Sequence, residues 1–334
     1  MKKIWNRISA CILIATVVLS GAACAGSNQK TTKNQPLATQ IRQSAESLKE
    51  ELKEDTLEAG SQTADWTAMV LTFAGEKDEK KYLTELETYI AKQYKKQGCL
   101  SKVKATEYHR SALTILTLGG DPADVSAKGE DVNLIADGTW NFPGGSPGLQ
   151  GSNGLIYALL MLDSKDYETE QPDLREQYIS ELLTYQKDSG AFCIDNSLSG
   201  DIDITAMALQ ALAPYQEQEN AGTAVRKALD WLKSQMTARG TFQSSDGESA
   251  ESSAQVILAL CALGKDPDKD EQFIKNDQTL LDGLEEFRMK DGMYMHETSD
   301  DKENIMATYQ SLLALEAVQT LKTEHRWIFD FTDQ

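Results

Sequence analysis

The sequence predicts an all-α fold, an α/α toroid of about six inner and six outer helices paired as antiparallel hairpins in a closed ring. Three observations predict it. A segment headed by Thr-Ala or a near equivalent recurs at Thr67-Ala68, Ser111-Ala112, Tyr157-Ala158, Thr205-Ala206, Ser253-Ala254 and Thr308-Tyr309, with gaps of 44, 46, 48, 48 and 55 residues. Each copy continues as a run crowded with Ala and Leu, such as "AMALQALAPY" or "AQVILALCALG", apolar on nearly every side as a helix buried on most of its surface must be. Between the copies lie amphipathic, charged helical stretches, and strand signals are weak throughout. Inner helices much more apolar than outer ones favour a ring over an open solenoid, whose helices usually keep one face partly wet.

Taken in order, residues 1–25 read as an export signal. Lys2, Lys3 and Arg7 precede an apolar run from Ile12 to Leu19, then small residues around Cys24. That run is too short for a membrane-spanning helix. Gly21-Ala22-Ala23-Cys24 satisfies a loose lipobox, which points to lipidation at Cys24, and Ala23-Cys24-Ala25 suits an ordinary signal peptidase. Residues 26–36 are polar and aperiodic, a flexible tether. The toroid domain is expected over 37–334. It starts with an amphipathic outer helix in Ile41–Glu58, and the further outer helices include "KKYLTELETYIAKQYKK", "LREQYISELLTYQKD", "TAVRKALDWLKSQM" and "TLLDGLEEFRMK". Most end near a Gly followed by a large apolar residue, as in Gly98-Cys99-Leu100, Gly138-Thr139-Trp140, Gly190-Ala191-Phe192, Gly240-Thr241-Phe242 and Gly292-Met293-Tyr294. The Gly suits a left-handed helix C-cap.

Charge and cysteine narrow the function classes. A formal charge of −19, more negative once the signal's basic residues are gone, disfavours nucleic acid and leaves the leader or a lipid as the route to a membrane. Beyond Cys24, the cysteines of the folded body, Cys99, Cys193 and Cys261, are spaced too widely for a disulfide framework or a metal knuckle and read as core thiols.

The Gly-x-aromatic outer helix followed by a polar residue and Thr-Ala resembles the repeat of the terpene cyclase and protein prenyltransferase toroid superfamily. The runs "GSNGLIYALLMLDS", "DIDITAMALQALAPY", "ESSAQVILALCALGKDP" and "ENIMATYQSLLALEAV" are similar to its exported Gram-positive branch with prenyltransferase and squalene-oxidase-type repeats, often joined to transcobalamin-like domains. The resemblance implies three chemistries. Proton-initiated cyclases carry Asp-x-Asp-Asp with the middle Asp as general acid; Asp201 and Asp203 match, and Ile204 replaces the last acid. Prenyltransferases hold zinc through Asp, Cys and His, a set with no evident match here. The cobalamin carriers suggest a corrinoid or another small nutrient as ligand.

The residues themselves suggest a polar mouth. If the inner helices run parallel, their N-termini open together, and Asp65, Glu107, His109, Asn153, Asp201, Asp203, Glu251 and Asn304 converge on one axis. Trp66, Tyr108, Trp140, Tyr157 and Tyr309 are candidate apolar walls, and Thr205 and Gln255 complete the candidate ligand-binding set. Helix capping is the competing explanation for the acids and amides, since Asp201 or Asp203, Ser249 and Asn304 are good N-cap residues. The expectation is therefore an exported, surface-tethered, non-catalytic toroid that binds a small molecule, a metal ion or corrinoid among them, or a cell-surface protein partner. An enzyme with Asp203 as general acid and a surface scaffold are the alternatives; oligomeric state is left open.

Overall fold

The computed structural model describes residues 35–52, 58–76, 79–125, 132–243 and 247–333. The expected export signal, Cys24 and nearly all of the tether lie outside these residues. Inner helices α2 (Gln62–Phe73), α4 (Ala105–Thr117), α6 (Ser152–Ser164), α8 (Ile202–Leu212), α10 (Ala250–Ala262) and α12 (Ile305–Glu324) alternate with outer helices α1 (Leu37–Glu51), α3 (Glu79–Gln97), α5 (Leu134–Asp137), α7 (Leu174–Leu183), α9 (Glu219–Gln235) and α11 (Leu280–Glu285). Each inner helix packs on the next in chain order, and α12 packs back on α2, so the ring closes as expected. Helix α1 seals the seam by packing on both α12 and α2.

Sequence chemistry accounts for this arrangement. Leu159, Leu209 and Leu312 of the inner helices are fully buried, and truncating such a residue to Ala costs about 2–5 kcal/mol. Outer helix α9 shows the complementary pattern: Ala221, Val225, Ala228 and Leu232 are buried, three to four residues apart, while its charged residues face water. The third and sixth outer helices are only one or two turns long, yet each packs on its inner partner, α5 on α4 and α11 on α10. Cys99, Cys193 and Cys261 are free and buried, matching the reading of core thiols. Among the described residues no helix is long and apolar enough to cross a membrane.

The Gly-x-aromatic segments correct one expectation. Gly98 caps α3 with φ +75°, its amide bonding to the Tyr94 carbonyl. Gly190, Gly240 and Gly292 also have positive φ, but they lie several residues beyond their helices, inside tight turns. Lys187 N–H donates to Ala191 O at 2.8 Å, Thr237 N–H to Thr241 O at 2.9 Å and Met289 N–H to Met293 O at 2.8 Å. Gly138 has φ −86° and is not left-handed. Closeness explains its lack of a side chain, because a Cβ there would lie 2.9 Å from both the Leu134 carbonyl oxygen and the Tyr108 Cβ.

Candidate functional site

The inner helices start together at one end of the ring. Ser61, Asp201, Ser249 and Asn304 cap α2, α8, α10 and α12, each accepting from a backbone N–H in the first turn. Behind these caps lies a cavity of about 210 Å³ on the ring axis, walled by Gln62 and Trp66 of α2, Asn153 and Tyr157 of α6, and Asp203 of α8. Met207, Gln255, Tyr309, Gln310 and Leu313 complete the wall. First-turn residues of α2, α6 and α8 line one space, as parallel inner helices require.

Two acceptors in this wall are buried without a partner, Asp203 Oδ1 and Asn153 Oδ1. Buried polar atoms are nearly always paired, so two orphans on neighbouring helices mark a place where a donor is expected. Asp203 is pushed up to about 6 from the ordinary carboxylate range, chiefly by burial and further by the charges of Asp201 and Glu251, against a lowering hydrogen bond from Ser252. Tyr157 is likewise raised to about 12 by burial. The amides of α8, α10 and α12 form a relay: Gln210 Nε2 donates to Gln255 Oε1 at 2.9 Å, and Gln255 Nε2 to Gln310 Oε1 at 3.0 Å.

Of the candidate residues, the ring brings Trp66, Asn153, Tyr157, Asp203, Gln255 and Tyr309 to this cavity. The others are engaged elsewhere. Asp65, fully buried, accepts from Arg110 Nε at 2.8 Å, Tyr82 Oη at 2.7 Å and Gly60 N–H at 3.1 Å. Glu107 sits partly exposed 3.9 Å from Lys104. His109 is buried with Nε2 2.7 Å from the Gly138 carbonyl, and burial drives it down to about 4, so the ring is neutral and Nε2 is the donor. Trp140 packs half-buried against the core, and Tyr108 is fully buried in it, its hydroxyl donating to Ser101 O at 2.8 Å.

Asp201 and Asn304 serve as N-caps. Thr205 faces the preceding turn, donating to Asp201 O at 2.6 Å and accepting from Phe192 N–H at 2.9 Å. Glu251 accepts from His296 Nδ1 at 2.8 Å; burial works against the charge on His296, but this bond and the neighbouring acids outweigh it and raise its pKa. Among the described residues no three His, Cys, Asp or Glu side chains come together as a metal site would need.

The cavity residues outside the candidate set were legible in principle. Gln62 stands four before Trp66, Met207 four after Asp203, and Leu313 four after Tyr309, all on the faces of residues already singled out. Gln310 follows Tyr309 and enters through its bond to Gln255.

A closed ring of helical hairpins with a chamber at its axis defines the α/α-toroid class. The model of the prenyltransferase alpha-alpha toroid domain matches residues 154–264 and 256–330, together more than half the chain. The chain belongs to that family. It is similar in structure to an unsaturated glucuronyl hydrolase from Bacillus sp. GL1, at TM-score 0.59 and 12% identity over 88% of this chain and 98% of that one. Candida albicans protein geranylgeranyltransferase-I complexed with GGPP gives TM-score 0.54 and 11% identity, covering 86% and 93%. A type II terpene cyclase from Scytonema gives TM-score 0.54 and 13% identity, covering 86% and 99%. At such identities the likeness is one of fold. No curated protein matches the sequence.

Proposed function

We propose that the axial cavity binds a small molecule carrying hydroxyl or amino donors, with Asp203 and Asn153 as its anchors. The observation that carries this reading is that two residues on adjacent helices, both lining one cavity, each keep a buried oxygen without a partner. Gln62, Gln255 and Gln310 supply further amides, and Trp66, Tyr157 and Tyr309 offer ring faces, a mixture that suits a sugar-sized polar ligand. At about 210 Å³ the chamber is below the usual 300–1,000 Å³ of drug-sized sites, so a corrinoid macrocycle would sit over the mouth instead of inside it. The signal-like leader supports an exported, membrane-tethered setting for this binding.

The raised pKa of Asp203 favours a second reading, in which it transfers a proton to or from the bound molecule. Burial makes this group a weaker acid than an ordinary carboxyl. With apolar Ile204 in place of a third acid, it is poorly equipped to protonate an alkene. Acid–base work on a polar substrate near pH 6 suits it better.

Saturation-transfer NMR of the purified chain against monosaccharides, polyols and small amines tests the binding reading. At least one class is expected to bind and to lose at least ten-fold in affinity in both Asp203→Asn and Asn153→Ala. Binding indifferent to both substitutions, or none at all, would sink it. Turnover of a bound compound by the parent chain but not by Asp203→Asn would establish the catalytic reading.

A further inference from the structure

A second cavity, of about 660 Å³, lies at the opposite end of the ring. Its walls come from the last residues of α6 and α10, the Ala213–Gln216 turn after α8, and the segment following α12. Gln210 lines it, so the amide relay to Gln255 and Gln310 separates it from the axial cavity. The segment after α12 folds across this end. Phe331 N–H donates to Ser164 O at 2.7 Å, and buried Phe329 makes edge contacts with Trp66, Phe73 and Trp327 at 6.4, 5.9 and 5.6 Å.

The physical character of the cavity is one-sided. Helices α6, α8 and α10 present their C-terminal ends here, the partially negative end of the helix dipole. Asp163, Asp166, Glu217 and Asp330 line it against a single cation, Arg175. That guanidinium is already committed: Nε donates to Asp163 at 2.8 Å, and the terminal NH2 group donates to the carbonyls of Leu162 and Tyr167, both at 3.0 Å. Tyr215, Trp327 and Phe329 add aromatic surface, with Trp327 and Phe329 set at 79° to form a corner. Leu160, Ala213 and Ala262 make part of the wall apolar. Rings, carboxylates and helix C-termini all attract positive charge, and the volume calls for more than a bare ion.

We propose that this cavity is a binding site for an organic cation with alkyl bulk, a quaternary ammonium or alkylated amine, seated against Trp327 and Tyr215 and neutralised by Glu217 and Asp330. The site is independent of the ligand in the axial cavity.

Calorimetry on the purified chain compares choline with its neutral isostere 3,3-dimethylbutan-1-ol. Choline is expected to bind at least ten-fold more tightly than the alcohol, and more weakly as salt is raised, because Glu217 is exposed. Trp327→Ala should weaken choline binding about ten-fold and Trp327→Phe less, since a cation over Trp is held better than over Phe. Circular dichroism verifies that both variants are folded, and the milder one keeps the test decisive if the first is not. Asp203→Asn should leave choline binding unchanged. Equal binding of the alcohol, no choline binding, indifference to both Trp327 variants, or loss in Asp203→Asn would each overturn the assignment.

Discussion

The hydroxyl of Thr205 accepts the N–H of Phe192 at 2.9 Å while donating to its own helix at Asp201 O. Thr308 does the same for Tyr294, at 2.9 Å, with Asn304 O as its acceptor at 2.7 Å. In these two repeats the Thr is therefore a clamp that pins the Gly-x-aromatic turn of one hairpin to the first turn of its inner helix. Ser253 bonds to its own helix at Ser249 O, and the hydroxyls of Thr67 and Ser111 are buried without a partner, so the joint belongs to the fourth and sixth copies of the repeat. Thr205→Val should cost about 1–3 kcal/mol, because a buried N–H is left unpaired. Thr205→Ser should recover most of the loss. Urea denaturation of the three proteins measures both, and equal stability of Val and Ser variants would contradict the clamp.

Asp65 is a second structural joint. Its carboxylate takes hydrogen bonds from Arg110, Tyr82 and the Gly60 amide, tying α2 to α4, α3 and the loop that precedes it. Removing one partner of a buried pair leaves the other charge uncompensated, so Asp65→Ala should lower stability by about 3–5 kcal/mol. Tyr82→Phe should cost about 1.5–3 kcal/mol by losing one charge-assisted bond. Thermal melts of both variants check this, and an Asp65→Ala protein as stable as its parent would refute it.

Asp203 should trade stability for its position. Its folded pKa of about 6 lies above the ordinary value, so its contribution is fully present below about pH 4 and is lost as pH rises through 6. Asp203→Asn removes that loss. The variant should be more stable than the parent by about 1–3 kcal/mol at pH 8 and little different at pH 4. Urea midpoints at the two pH values give the comparison, and a penalty for Asn at pH 8 would reverse the sign argued here.

His109 and His296 should titrate on opposite sides of an ordinary histidine. For His109 the folded pKa is depressed to about 4, so its stability contribution is present above about pH 6.5 and lost as pH falls through 4. His296 is raised, and its contribution is present below about pH 6.5 and lost as pH rises through its folded value. NMR of the imidazole C–H protons should show one resonance titrating near 4 and another above 6.5. Glu251→Gln should bring the second back down, and His109 and His296 titrating together would contradict the assignment.

Glu316 is the least comfortable group in the fold. Both of its oxygens are buried on α12 without a partner, and burial raises its pKa well above that of an ordinary carboxyl. The stability it carries is present below about pH 4.5 and lost as pH rises through its folded pKa. Glu316→Leu should therefore stabilise the protein at neutral pH, by about 1–4 kcal/mol as for buried charges replaced by apolar residues. A lower melting temperature in the variant at pH 7 would show that the carboxyl has a partner.

The ring is legible in the sequence alone. Six Ala- and Leu-rich segments at a near-constant interval can bury all of their faces only by packing on one another and on an amphipathic outer layer, so composition and period suffice. The sequence also placed Asp203, Asn153, Tyr157 and Trp66 at one end, because equivalent positions in parallel helices share a depth. Tertiary structure decided which polar residues at that depth face the axis. Asp65 and Asp203 hold the same place in the repeat, two before the aligned residue, yet Arg110 and Tyr82 satisfy the first, while an oxygen of the second is buried without a partner. Helical spacing fixes the angle of a side chain on its own helix, but whether a donor waits opposite depends on neighbours 17 and 45 residues away. The chamber at the far end was decided in the same way, by a segment after α12 that carries no repeat and folds back across the ring.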